Sequence, residues 1–128
     1  MAALLDTHVW AWMLTVDPIM SGPARAALDS DAQLMLSPVS FYEIAQKVRL
    51  GKWPLMAPHV EHLPNLAQAS GIALEPVTAE IALFAGMLDW PHRDPFDRML
   101  AATALVHGWE LISADTAFDT LPSLRRIW

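Results

Sequence analysis

The sequence predicts an α/β fold, with a parallel sheet of about five strands flanked by helices on both faces. Three observations predict it. Short apolar runs alternate with helix-patterned segments of about 10–15 residues, the signature of βαβ units. Glycine, proline and cap-type residues stand at the junctions between them. A chain of 128 residues that is 54% hydrophobic also suffices for one core, so a single domain spanning 1–128 is expected.

The elements follow in order. Ala2 to Leu5 is an apolar run ending in Asp6 and reads as the first strand; a short helix follows, carrying Val9, Trp10, Trp12 and Met13. Ser21, Gly22 and Pro23 open a helix over Ala24 to Leu28, by a capping serine and an early proline. Ala32 to Leu36 is the second strand. Ser37-Pro38 starts the clearest helix, which places Phe41, Ile44, Ala45 and Val48 at i, i+3, i+4, i+7 and runs to Leu50 before Gly51. Trp53-Pro54 and Pro58 form a connector, and Val60, Leu63, Leu66 and Ala67 mark another helix, interrupted early by Pro64 and stopped at Gly71. Ile72 to Val77 is the third strand; Thr78 caps a helix through Ile81, Phe84 and Leu88. Asp89 to Asp94 is a polar loop, after which Asp94-Pro95 opens a long helix ending at Gly108. Trp109 to Ser113 is the fourth strand, and Arg125 to Trp128 the fifth. No internal repeat or low-complexity tract interrupts this order.

No stretch approaches the run of about 18 apolar residues that a membrane span requires, and the start lacks the basic flank and cleavage site of a secretory signal. The expectation is a cytoplasmic protein. With no cysteine, thiolate metal sites and cysteine nucleophiles are excluded, so oxygen or imidazole must hold any metal, which favours Mg²⁺ or Mn²⁺ over structural zinc. The formal charge of −6 argues against a nucleic-acid partner at first sight. If four carboxylates belong to one metal pocket, the remainder is only mildly acidic. Lys47, Arg49, Lys52, Arg93 and Arg98 flank the segments that carry candidate acids, either as a local cationic rim or as ordinary solvated helix charges.

In open parallel sheets the active site lies at the carboxyl ends of the strands, near the switch in strand order. Asp6 and Asp115 fall at or just beyond two such ends. Each is also placed to cap the next turn. Glu43 lies three residues after Ser40, the spacing of a capping box, but a helix begun at Ser37-Pro38 would put it in the second turn with no capping task. Asp97 lies three residues after Asp94, where a first-turn acid suits the helix dipole. Together the four converge on one edge of the sheet, where their repulsion calls for a cation, and hard divalent ions take such oxygen ligands with water and phosphate completing the shell.

Other chemistry finds little footing. The five histidines show no metal-ligand spacing, and packing or surface roles suit them better. There is no glycine-rich phosphate loop and no nucleophile motif. Of the six tryptophans, Trp10, Trp12 and Trp90 lie near the expected site, where packing is the first explanation and base stacking or partner binding the second.

Leu4-Leu5-Asp6-Thr7-His8-Val9-Trp10, Ser37-Pro38-Val39-Ser40-Phe41-Tyr42-Glu43-Ile44, His92-Arg93-Asp94-Pro95-Phe96-Asp97-Arg98 and Ser113-Ala114-Asp115 together resemble, in order and spacing, the VapC-type PIN-domain toxins. The resemblance covers the whole chain. It implies a PIN-like domain in which Asp6, Glu43, Asp97 and Asp115 are the catalytic, metal-binding acids. Asp94, Arg98 and Asp119 are accessory candidates, Arg98 as a phosphate contact. It implies internal cleavage of RNA with Mg²⁺ or Mn²⁺ activating a water for in-line attack, Asp97 or Asp6 orienting that water. It also implies homodimers silenced by a small VapB-like antitoxin. Two competitors stand beside this reading: a catalytically silent PIN-like binding module, and an aspartate-based phosphatase or phosphoacceptor. The phosphatase pattern puts a second acid two residues after the first, where this chain has His8, and the phosphoacceptor pattern wants paired acids early.

Overall fold

The structure is a computed structural model describing residues 1–15 and 19–128. Five strands form one parallel sheet: β1 (Ala2–Leu5), β2 (Gln33–Leu36), β3 (Ala73–Leu74), β4 (Glu110–Ile112) and β5 (Arg126–Ile127), in the order β3-β2-β1-β4-β5. Central β1 sets Leu4 beside Met35 on one flank and Leu5 beside Ile112 on the other. Successive side chains of a strand point to opposite faces. Ala3, Leu5, Leu36 and Ile112 accordingly enter one core with Val9, Trp10 and Ile44, while Leu4, Met35 and Leu111 enter the other with Leu100 and Phe118. Both faces are thus covered, the condition under which short apolar parallel strands are stable. Trp10, Phe118, Leu4 and Leu100 are fully buried, each such apolar side chain contributing roughly 1.5–3 kcal/mol or more.

Among the described residues, six helices complete the layers: α1 (Thr7–Thr15), α2 (Gly22–Leu28), α3 (Val39–Arg49), α4 (Leu63–Ala69), α5 (Ala79–Met87) and α6 (Pro95–His107). Their caps follow the local sequence. Ser21 Oγ accepts the Ala24 N–H at the start of α2, Thr78 Oγ1 that of Ile81 at α5, and Asp94 Oδ1 those of Phe96 and Asp97 at α6. The sixth helix ends at Gly108, whose left-handed φ of 69° other residues adopt with difficulty.

Three local features depart from the expectations. The third strand pairs only over Ala73–Leu74 rather than Ile72 to Val77, because Pro76 has no N–H to extend the ladder and Thr78 already begins a helix. The connector after Trp53 is a 3₁₀ helix, Pro54–His62, which takes in Val60 and accommodates Pro58. Pro64 opens α4 instead of interrupting it, since the first turn has no N–H to lose. A second 3₁₀ turn, Thr116–Thr120, follows Asp115. Among the described residues no helix is long and apolar enough to cross a membrane.

Candidate active site

The topology switches at β1: the chain leaves it to build β2 on one side and later returns to build β4 on the other. Two strands therefore end side by side at one crevice. The Asp6 N–H continues the ladder to the Ile112 carbonyl at 3.0 Å, which holds the acid at the carboxyl end of the sheet. Fully buried Ser113, one residue beyond β4, donates its hydroxyl to Asp6 Oδ2 at 2.6 Å and accepts the Asp115 N–H at 3.0 Å. One hydroxyl thus connects two of the expected acids. Asp115 caps the following 3₁₀ turn, its Oδ1 accepting the Ala117 N–H, and its side chain is exposed.

Glu43 comes from the second turn of α3. The helix starts after Pro38, and Ser40, buried, shares a 2.8 Å hydrogen bond with the Thr7 hydroxyl; the capping-box alternative for Glu43 is excluded. Glu43 is 3% exposed, receives the Lys47 ammonium on Oε2 at 2.8 Å, and leaves Oε1 buried without a partner among the described residues. Asp97 comes from the first turn of α6, and its Oδ2 lies 2.6 Å from His92 Nε2. A cavity of about 280 Å³ gathers these side chains: Asp6, Glu43, Asp97 and Asp115, joined by Asp94, line it together with His8, Trp12 and Lys47.

Burial raises the carboxyl of Asp6 above the usual aspartate range and neighbouring Glu43 raises it further, against the opposing Ser113 hydrogen bond and the proximity of His8. Burial likewise pushes Asp97 up to about 6, with Asp94 and Asp6 adding to it and His92 opposing. Negative charge is therefore under-compensated here, and an unpartnered carboxylate oxygen on Glu43 carries unspent acceptor capacity. Among the described residues no three acids or histidines are grouped so that they could together hold a metal ion without rearrangement. The donor set fits a hard divalent ion at an open site, where few carboxylates bind and water or phosphate oxygens complete the shell.

Several assignments change with the coordinates. Arg98 is not at the cavity. Its guanidinium donates to the carbonyls of Ala85 (3.0 Å), Gly86 (3.4 Å), Leu88 (2.7 Å), Trp90 (2.7 Å) and His92 (3.0 Å), closing the end of α5 and the following loop, so all five of its N–H donors are engaged and it has none left over for a phosphate. Asp119 also lies apart, in a two-bond pair with Arg126 at 2.8 Å that holds its carboxyl below the usual range. Asp94 lines the cavity while capping α6. Trp10 and Trp90 are buried packing residues, whereas Trp12 lines the cavity. Of the suggested cationic rim, only Lys47 lines the cavity. Ser113, His92 and His8 were not singled out by sequence. A signal existed for His92, which shares a short segment with Asp94 and Asp97, but a lone histidine in a polar loop does not announce a carboxylate partner.

The fold and the sequence have counterparts among known proteins. A 31% identical relative over 113 residues, spanning 88% of this chain and 85% of its own length, is the ribonuclease VapC22 of Mycobacterium tuberculosis. VapBC2 from Rickettsia felis, solved bound to a DNA fragment from its promoter, superposes with a TM-score of 0.72 at 16% identity, over 98% of this chain and 97% of that one. VapC20 of Mycobacterium tuberculosis, a sarcin-ricin loop cleaving toxin, superposes with a TM-score of 0.60 at 18% identity, over 97% and 99%. The PIN domain profile matches residues 3–124, a span that includes every strand end and helix start contributing to the acidic cavity, and the chain belongs to the PIN-domain family.

Proposed function

We propose that this chain, as one PIN-like domain over 1–128, is a divalent-metal-dependent endoribonuclease serving as the toxin of a toxin-antitoxin pair in the cytoplasm. The observation that carries the reading is the cavity itself, where the buried, unpartnered Oε1 of Glu43 and the raised carboxyls of Asp6 and Asp97 leave charge for a cation to neutralise. PIN-domain ribonucleases generally use a divalent metal. Mg²⁺, with Mn²⁺ as substitute, is our assignment, because every donor is a hard oxygen. Asp6, Glu43, Asp97 and Asp115 would hold it. When bound, such an ion supplies charge stabilisation at the phosphate and a more acidic bound water.

The protein's own part is positioning. Ser113 fixes the Asp6 carboxylate, His92 fixes that of Asp97, and Lys47 restrains Glu43 while offsetting part of its charge. Asp97 or Asp6 orients the attacking water. The ribonuclease relative supports an RNA substrate, and the toxin-antitoxin complexes among the structural neighbours, from Rickettsia felis and Klebsiella pneumoniae, support a small VapB-like antitoxin as partner. Leu83, Phe84 and Met87, exposed on α5, supply apolar surface for the homodimer we also propose.

Controlled expression in a bacterium tests the toxin role. Wild type is expected to arrest growth, Asp97→Asn to be tolerated, and the cognate small partner to restore growth. Unimpaired growth at verified soluble levels of wild type would overturn it.

A further inference from the structure

The cavity is lined by aromatic rings as well as by carboxylates: His8 and Trp12 both line it, with ring centroids 6.0 Å apart and planes tilted by 53°. Further rings brace this aromatic wall. The His8 imidazole stacks on Trp53 at 4.8 Å with an interplanar angle of 27°, and Trp12 packs against Trp128 at 5.6 Å. His8 nevertheless stays exposed, although it is anchored one residue from fully buried Thr7. An exposed ring held against a second ring loses little conformational freedom when a third plane joins the stack, so part of the ordering cost of binding is already met.

We propose that His8 and Trp12 form a nucleobase subsite, on which a base of single-stranded RNA next to the scissile phosphate stacks. The proposal rests on the endoribonuclease reading above. Stacking suits single-stranded RNA, whose unpaired bases offer their faces to aromatic side chains. Position agrees as well: His8 stands two residues after Asp6, so a phosphate held at the acids brings its neighbouring nucleoside to this wall.

The test uses the full chain with Mn²⁺ and a single-stranded RNA pool randomised at its centre, the cut ends being read by sequencing. Wild type should show a base preference beside the cut. His8→Ala and Trp12→Ala should each lower kcat/KM about tenfold and relax that preference, while His8→Phe and Trp12→Phe retain most of both. Replacing the preferred nucleotide with an abasic one should cost wild type a similar factor and the alanine variants nothing further. The thermal stabilisation by Mn²⁺ should be unchanged in all four, and because His8 is exposed, His8→Ala carries the test even where Trp12→Ala fails to fold. Alanine variants that keep wild-type rates and preference would overturn the subsite, as would an abasic penalty that persists undiminished in them. A loss confined to inhibition by the small protein partner would assign the wall to that partner instead. Absence of any RNA cleavage by wild type with Mn²⁺ bound would overturn the endoribonuclease reading itself, a result distinct from the others.

Discussion

The Ser113 hydroxyl donates to Asp6 Oδ2 at 2.6 Å across 107 residues of sequence, and so ties together the carboxyl ends of the two strands at the topological switch. The Ser113 Oγ also accepts the Asp115 N–H. Removing it strips a buried carboxylate of one donor and leaves an amide without its acceptor. Ser113→Ala is expected to lower stability in chelator by about 1–3 kcal/mol, the cost of unsatisfied buried polar groups, and to reduce RNA cleavage even where the protein is fully folded. Urea unfolding and cleavage assays check this; an unchanged rate would show that Asp6 needs no such support.

Asp97→Asn keeps the shape of the side chain and removes a charge that burial, Asp94 and Asp6 all disfavour. In chelator the variant should be as stable as wild type or more so, with activity abolished. Mn²⁺ at 100 times its dissociation constant should raise wild-type stability by about 2.7 kcal/mol and the variant clearly less. Thermal melts with chelator and with Mn²⁺ measure both. A variant that melts lower in chelator yet gains as much from Mn²⁺ would remove Asp97 from the metal site.

The pH dependence has a definite sign. The Asp97 carboxyl stands near 6 when folded and at its ordinary 3.8 when unfolded, so between those values the folded state binds more protons. Its contribution therefore makes the metal-free protein lose stability as pH rises from about 4 to about 6, with no further change above. The pair of Asp119 with Arg126 works in the opposite direction, since a lowered carboxyl stabilises above its ordinary value and that stability is lost as pH falls. Subtracting the Asp97→Asn profile from that of wild type isolates the first effect. Metal competes with protons for the same carboxylate, so cleavage should decline as pH drops below about 6. A difference profile flat between pH 4.5 and pH 7 would contradict the assignment.

Arg98 gives a contrast, because its donors close the end of α5 rather than meeting substrate. Arg98→Ala should destabilise by on the order of 2–3 kcal/mol, as loss of a charged donor to several carbonyls does, while the Mn²⁺ gain and the cleavage rate of folded enzyme persist. Denaturant unfolding beside single-turnover cleavage distinguishes the two roles. A stable variant with selectively weakened RNA binding would return Arg98 to the phosphate.

These cases show which features were legible in sequence. An apolar run that ends in an acid announces a strand end, so the place of Asp6 was readable from local pattern; Asp115 follows its strand by three residues, and for both acids the pattern left a capping role open, one that Asp115 fills. Helix phase was readable too: a start at Pro38 puts Glu43 in the second turn with no capping task, whatever Ser40 does. Arg98 misled because proximity in sequence to Asp97 resembles proximity in space, whereas adjacent helix positions point about 100° apart. Ser113 and His92 act through partners 107 and five residues away, contacts that only the closed sheet and the loop before α6 create. The 3₁₀ helix over Pro54–His62 was hidden because its prolines read as breakers, although short 3₁₀ pieces commonly serve as connectors.

In the function proposed above, the acidic cavity cuts RNA through a divalent ion bound by its carboxylates. The most direct measurement follows cleavage of single-stranded RNA by purified wild type with Mn²⁺ and with excess chelator, alongside Asp6→Asn, while calorimetry records Mn²⁺ binding to both proteins. Internal cleavage that needs the metal is expected, with joint loss of cleavage and of Mn²⁺ affinity in Asp6→Asn. Cleavage that persists in chelator, or wild-type Mn²⁺ affinity in Asp6→Asn, would contradict it.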